Sequence, residues 1–309
     1  MEQTLMNLLA HCELCPRMCG VNRLKGEKGF CGATGENIKV ARAALHYWEE
    51  PCISGERGSG TVFFSYCTLR CAFCQNREIR GGEAGAEITI DRLSDIFLEQ
   101  QSRGAHNVNL VTPTHYLPQI ILALRDAKSR GLRLPVVYNT SGYDRAEMLR
   151  LLEGTVDIWL PDFKYMDEGL ARTYSAAPGY PETALSALSE MVRQAGEPVF
   201  DADGMMQKGV IIRHLCLPGH LADSKAAVKA LFSRFGNRVY FSLMNQYTPP
   251  SDRVLPWENL MGRVTAADYD ALIDYAVDLG LENGFTQEEG TAEESFIPPF
   301  DLEGVFPEK

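Results

Sequence analysis

From Thr61 onward the chain alternates short apolar runs with amphipathic stretches, and this alternation restricts its fold more than any other feature. The runs 61–66, 107–112, 134–139, 156–161, 209–217 and 238–244 are rich in Val, Ile, Leu and Phe, as parallel strands buried on both faces should be. Between them, residues 91–103 carry Leu93, Ile96 and Phe97 on one helical face and stop before Gly104. Residues 118–130 open at Pro118 and stop before Gly131. Thr265 with Asp268 predicts a capped helix through Leu279, with Tyr269, Leu272, Ile273 and Ala276 on its inner stripe. The long interruption 167–209 predicts one or two helices and then a hairpin at Asp203-Gly204, and 282–287 is a candidate seventh strand. Six βα units are fewer than the eight of a closed barrel, so the expectation is an α/β protein built as a partial (β/α)6 TIM-like barrel, open on one side. It should occupy residues 56–288, after a small cysteine-rich, metal-binding segment at 1–55 and before a tail at 289–309 that is a covering segment or a loose end.

The formal charge of -11 argues against nucleic acid as a partner, because phosphate binding needs a basic surface. Met1 to Ala10 has no basic leader pattern, and no run of about eighteen apolar residues occurs, so a cytoplasmic protein with no membrane partner is expected. In that compartment nine cysteines read as metal ligands or buried thiols rather than disulfides. Gly55-x4-Gly60 imitates a phosphate-binding loop, but Thr61 stands in the lysine position and a strand follows rather than precedes it.

Seven cysteines fall into two groups, leaving Cys52 and Cys216 as buried thiols. Cys67, Cys71 and Cys74 follow the first apolar run as C-x3-C-x2-C. Three thiolates on an iron–sulfur cube leave one iron open to a ligand, as catalytic metal sites do. Cys12, Cys15, Cys19 and Cys31 supply four thiolates in a segment too short to hold a core of its own. They fit a closed second site for zinc or an iron–sulfur cluster, and spacing does not choose between the two.

In such barrels chemistry gathers at the C-terminal ends of the strands. The first strand ends at Cys67, the second in Thr112-Pro113-Thr114-His115, and the third in Asn139-Thr140-Ser141-Gly142. The fourth ends in Asp162-Phe163-Lys164, the fifth carries Arg213 and His214, and the sixth runs into Asn245-Gln246-Tyr247. Polar ends on apolar strands, in phase with the cysteine loop, describe a lined cavity.

The cysteine loop, with Phe73 before its last cysteine and Gln75-Asn76 after it, resembles the signature of the radical S-adenosylmethionine (radical SAM) superfamily. With the turn 139–142 and Asp162-x-Lys164, residues 11 to 300 resemble the enzymes that activate pyruvate formate-lyase and other glycyl radical enzymes, in a subfamily with an N-terminal cysteine motif. The resemblance implies a 4Fe–4S cluster on Cys67, Cys71 and Cys74, and S-adenosylmethionine (SAM) contacts from Phe73, Thr112, Thr114, Asn139, Ser141, Asp162, Lys164, Arg213 and Gln246. Lys164 and Arg213 suit the SAM carboxylate by charge. Two positions depart from the pattern: Thr112-Pro113-Thr114 stands where Gly-Gly-Glu is usual, and Asn139 opens a turn that has an aspartate in the activating enzymes.

The resemblance further implies that SAM chelates the open iron and is cleaved reductively to a 5′-deoxyadenosyl radical that abstracts hydrogen. A flavodoxin- or ferredoxin-type protein would donate the electron, and a barrel open on one side suits a protein substrate such as a glycine-bearing loop. Two rivals stand beside it: the same chemistry on a small molecule or cofactor precursor, and an iron–sulfur carrier or scaffold with no chemistry of its own, which would not need a lined cavity.

Overall fold

The computed structural model of the protein describes residues 2–287 and 297–307. Ten strands, β1 (Ile38–His46), β2 (Ser59–Phe64), β3 (Ala86–Ile88), β4 (Val108–Val111), β5 (Val136–Thr140), β6 (Ile158–Pro161), β7 (Val199–Phe200), β8 (Met206–Leu215), β9 (Tyr240–Met244) and β10 (Gly284–Phe285), form one sheet among the described residues. Its order is β10-β9-β8-β6-β5-β4-β2-β1-β3, with β7 hairpinned onto β8. From β2 to β10 every neighbouring pair is parallel. The helices expected at 91–103, 118–130 and 265–279 run over Ile90–Ser102, Leu117–Ser129 and Ala266–Asp278. The last is capped by Thr265, whose side chain accepts from the Asp268 N–H. This is the partial TIM-like barrel that the alternation predicted. Strands β2, β4, β5 and β6 are buried along their whole length, which is why they read as unbroken apolar runs rather than as alternating ones.

The interruption after β6 holds two helices, Glu168–Ser175 and Tyr180–Ala195, and the hairpin turns at Gly204, whose φ of +76° is the left-handed conformation expected of Asp-Gly. Cys52 and Cys216 are buried among apolar side chains. No helix among the described residues is long and apolar enough to cross a membrane.

The sheet reaches further toward the N-terminus than the apolar runs indicated. Strand β1, inside the segment 1–55, pairs antiparallel with β2, and β3 covers its outer edge at Ile38–Val40. The rest of that edge is covered by the C-terminal residues: Leu302 N–H donates to Ala41 O at 3.0 Å, and Ala43 N–H donates to Glu303 O at 2.8 Å. Arg42 fixes this strap by ion pairs to Asp301, at 2.7 Å, and Glu303. Gly304 sits so close to the strand that an added Cβ would lie 2.0 Å from Ala43 O, and its φ is +68°. The described part of the tail is therefore a covering segment; residues 288–296, 308 and 309 lie outside the described residues.

Candidate active site

The polar strand ends converge on one cavity of about 370 Å³. Cys67, Cys71 and Cys74 line it, with Phe73, Thr112, Asn139, Ser141, Asp162, Lys164, Arg213 and Gln246. Of the SAM contacts implied by the resemblance, Thr114 is not brought there. Its hydroxyl donates to Asp144 Oδ1 at 2.7 Å, in a buried group with Thr140 and Tyr138. The cause is local: Thr112 has φ +61°, a costly conformation for a β-branched residue, and the chain beyond it turns away from the cavity. Tyr66, at φ +75°, marks the corresponding bend before Cys67.

The cysteine loop is held from several sides. Leu69 N–H donates to Cys67 Sγ at 3.4 Å, and Ser175 Oγ donates to Cys71 Sγ at 3.0 Å. Phe73 packs edge-on against Tyr247, with ring centres 5.6 Å apart. Burial, then the neighbouring Cys71, pushes the Cys67 thiol up to about 11, and burial with Cys71 and Cys67 pushes Cys74 up to about 12. Thiols in such surroundings ionise when a cation meets them, and a bound metal does this outright. The surroundings fit an iron–sulfur cluster. Lys164 and Arg70 favour the Cys67 thiolate and Arg80 favours that of Cys74, while the buried Arg80 Nε has no hydrogen-bond partner among the described residues. No three His, Cys, Asp or Glu side chains among the described residues gather around a single-ion point. A cube spreads its thiolates over separate irons, so its ligands need not crowd together.

Across the cavity runs an ion-pair chain. Lys164 Nζ lies 2.6 Å from Asp162 Oδ2, and Asp162 Oδ1 is 2.9 Å from Arg213 Nε. Arg213 continues to Glu49 Oε2 at 3.0 Å and donates to Asn139 Oδ1 at 2.6 Å. Glu49 Oε1 also accepts from Asn109 and Asn139, at 3.0 and 3.1 Å. Burial alone would raise the Asp162 carboxyl, but the Lys164 and Arg213 charges outweigh it and hold the group below its usual range. Gly142 is required beside this chain, because an added Cβ would stand 2.3 Å from Asp162 O. Glu49 and Glu50, which also lines the cavity, were not singled out from the sequence. They follow β1 and belong to no spaced motif.

The four N-terminal cysteines lie apart from the cavity but against its cysteine loop. Burial pushes Cys15 up to about 12 and also raises Cys31, and each is raised further by Cys12 and Cys19. Arg23, 1% exposed, favours the Cys31 thiolate, and its Nε and Nη2 lack partners among the described residues. A buried guanidinium without an anion is costly, so this donor set fits a metal-bound, negatively charged thiolate group. Arg17 joins the two sites: its guanidinium stacks 3.6 Å from the Phe30 ring centre and donates to Thr68 O at 3.0 Å. Arg70 returns the contact, donating to Phe30 O at 2.5 Å, while Phe30 N–H donates to Cys19 Sγ at 3.4 Å.

Residues 61–224, more than half of the chain and including the cysteine loop and the ion-pair chain as far as Arg213, match the family model of the radical SAM superfamily. The chain belongs to that superfamily. Over 287 residues it is 25% identical to an uncharacterized protein of Methanocaldococcus jannaschii, covering 89% of this chain and 77% of that one. A domain of a pyruvate-formate lyase-activating enzyme from Bacteroides vulgatus is similar at 17% identity and a TM-score of 0.39, over 56% of this chain and 92% of that one. Streptococcus suis SuiB bound to S-adenosylmethionine gives 13% and 0.46, over 73% and 46%. The FeFe-hydrogenase maturase HydG of Carboxydothermus hydrogenoformans gives 12% and 0.45, over 74% and 58%. The chain thus spans about half the length of these last two neighbours. Radical SAM membership implies a 4Fe–4S cluster and SAM as cofactors.

Proposed function

We propose that this radical SAM protein holds a 4Fe–4S cluster on Cys67, Cys71 and Cys74, binds SAM across the strand ends, and abstracts hydrogen from a substrate in the same cavity. The observation that carries this is the shared cavity, in which three thiols and the Lys164–Asp162–Arg213 chain face one another. When bound, cluster and SAM supply one-electron cleavage of the sulfonium and hydrogen abstraction. The chain's own residues do the rest. Lys164 and Arg213 present cations to the SAM carboxylate, Asp162 and Ser141 offer acceptors to its hydroxyls, and Phe73 and Tyr247 keep water from the cysteine loop.

A protein substrate of the glycyl-radical-enzyme kind, with a flavodoxin- or ferredoxin-type protein as electron donor to the cluster, is the first reading. The test is incubation of reduced protein and SAM with candidate proteins, watching for 5′-deoxyadenosine and a carbon-centred radical on the partner. A small-molecule substrate is the second reading, and one observation favours it. Ile297 and Pro298 line the cavity and Phe300 packs on Phe63, with ring centres 5.7 Å apart, so the tail narrows the open side.

Removing the amine at Lys164→Ala should weaken SAM binding by about 10- to 100-fold, the worth of one charge-assisted contact of roughly 1.5–3 kcal/mol. Cluster absorbance should be unchanged. SAM affinity equal to wild type by equilibrium dialysis would remove Lys164 from the site.

We assign a second metal, zinc or iron–sulfur, to Cys12, Cys15, Cys19 and Cys31, serving structure or electron transfer; an iron–sulfur cluster suits these thiols better, since no three of them gather around a single-ion point. Changing all four to Ala should lower total metal by one zinc or one cluster equivalent while the Cys67 cluster remains. Equal zinc and iron in variant and wild type would show that no second site exists.

A further inference from the structure

The middle of the cysteine loop is held by the end of one helix, Glu168–Ser175, whose last two residues lend it their carbonyls. Arg70 N–H donates to Ser175 O at 3.0 Å, and Ala72 N–H donates to Tyr174 O at 2.7 Å. Between these two contacts the Ser175 hydroxyl donates to Cys71 Sγ at 3.0 Å. The backbone bonds on either side fix the helix end against the loop, so the hydroxyl is placed on its sulfur by main chain.

Ser175 is fully buried, and so is Tyr165, whose hydroxyl lies 2.7 Å from Ser175 Oγ. A hydroxyl has one proton to give and a thiolate has none, so once Cys71 is ionised the order is settled: Tyr165 donates to Ser175, and Ser175 donates to sulfur. Both O–H bonds are then aligned toward Cys71. Hydrogen bonds in such a chain strengthen one another in a dry interior. Serine in a helix often bonds back to a carbonyl one turn earlier, whereas this hydroxyl meets a cysteine 104 residues away. Another buried pair gives the contrast: Ser224 Oγ lies 3.7 Å from Cys216 Sγ, at a thiol that belongs to neither cysteine group. Of the three loop thiols, Cys71 is the one met by a side-chain hydroxyl among the described residues, while Cys67 Sγ accepts from a backbone N–H.

We propose that Ser175, oriented by Tyr165, is a positioning residue that raises the reduction potential of the cluster held by the cysteine loop and so makes that cluster easier to reduce. The inference rests on the reading that Cys67, Cys71 and Cys74 hold a 4Fe–4S cluster. Reduction adds one electron, taken from a low-potential one-electron reductant, and no proton moves. Part of the added charge falls on the ligand sulfurs, where a fixed donor stabilises the electron-rich form more than the oxidised one. Potentials of such clusters respond to hydrogen bonds at sulfur for this reason.

The test is a redox titration with dithionite, followed by electron paramagnetic resonance on anaerobic full-length protein without SAM, so that turnover does not enter. The loop signal is the one that Cys71→Ala lacks. Ser175→Ala is expected to lower its midpoint by about 60 mV, a tenfold change in a one-electron reduction constant. Tyr165→Phe should lower it by less, and Ser175→Thr, which keeps the hydroxyl, should hold the wild-type value. Ser224→Ala removes the other buried serine–cysteine contact and should leave the midpoint where it was. A midpoint unchanged or raised in Ser175→Ala overturns the inference, and so does an equal fall in Ser224→Ala, which would mark a general loss of packing. If Ser175→Ala takes up no cluster, Tyr165→Phe decides, because it leaves the serine in place: an unchanged midpoint there overturns the inference. A wild-type spectrum identical to that of Cys71→Ala would instead remove the cluster reading itself, and the tuning with it.

Discussion

Reduced, anaerobic protein is expected to convert SAM to methionine and 5′-deoxyadenosine, and Cys67→Ala, Cys71→Ala and Cys74→Ala should each bring this turnover to background. The expected effect is complete because the three thiols are the only cysteines lining the cavity among the described residues. A three-ligand cluster has no spare sulfur to recruit: Cys52 and Cys216 are buried elsewhere, in separate apolar clusters. Cys216→Ala is the control, removing a buried thiol while keeping turnover. Chromatographic detection of 5′-deoxyadenosine above background in any of the three loop variants would dismiss the assignment of the cluster to this loop.

Arg213→Ala should be the most destabilising single change at the site, by about 3–5 kcal/mol, because it strips the shared cation from buried carboxylates. Arg213 is 14% exposed at its side chain, and its partners Glu49 and Asp162 are 9% and 18% exposed, so water cannot replace it. Neutralising those partners along with it should recover most of the loss, as in Arg213→Met combined with Glu49→Gln and Asp162→Asn. Thermal and denaturant unfolding of the single and triple variants decide the matter; equal destabilisation in both would mean that Arg213 acts by packing alone. The sign with pH follows from Asp162. Its folded carboxyl is held below the ordinary value, so its contribution is present above about pH 4 and is lost as pH falls through the lowered value.

The strands that build the cavity were legible because burial on both faces leaves a continuous apolar run, and their polar ends could then be placed by topology. Strand β1 was not legible. A bulge between Val40 and Arg42 shifts its register, so its buried positions fall out of the alternation that marks a half-buried strand, and Arg42 sits in its middle. Glu49 and Glu50 were missed for a related reason. They enter the cavity on the chain that follows the antiparallel strand β1, whereas the strand-end reading follows parallel βα units only. Thr114 was over-read because sequence position gives the end of a strand but not the sharp backbone turn at Thr112. The departure at Asn139 gains a meaning in the folded chain. A neutral amide there donates to Glu49 and accepts from Arg213, which an aspartate could not do.

The chain's C-terminal residues bear on how this protein behaves outside its active site. An open barrel must end its sheet somewhere, and here the outer edge of β1 is closed by β3 and by Leu302 and Glu303. Shortening the chain before Phe300 would take Val305 and Leu302 out of the core and bare the backbone of β1 from Ala41 onward. Such an edge is a template for another chain. Trimming at this end would therefore show as self-association and precipitation, together with a lower unfolding temperature from the loss of buried Val305.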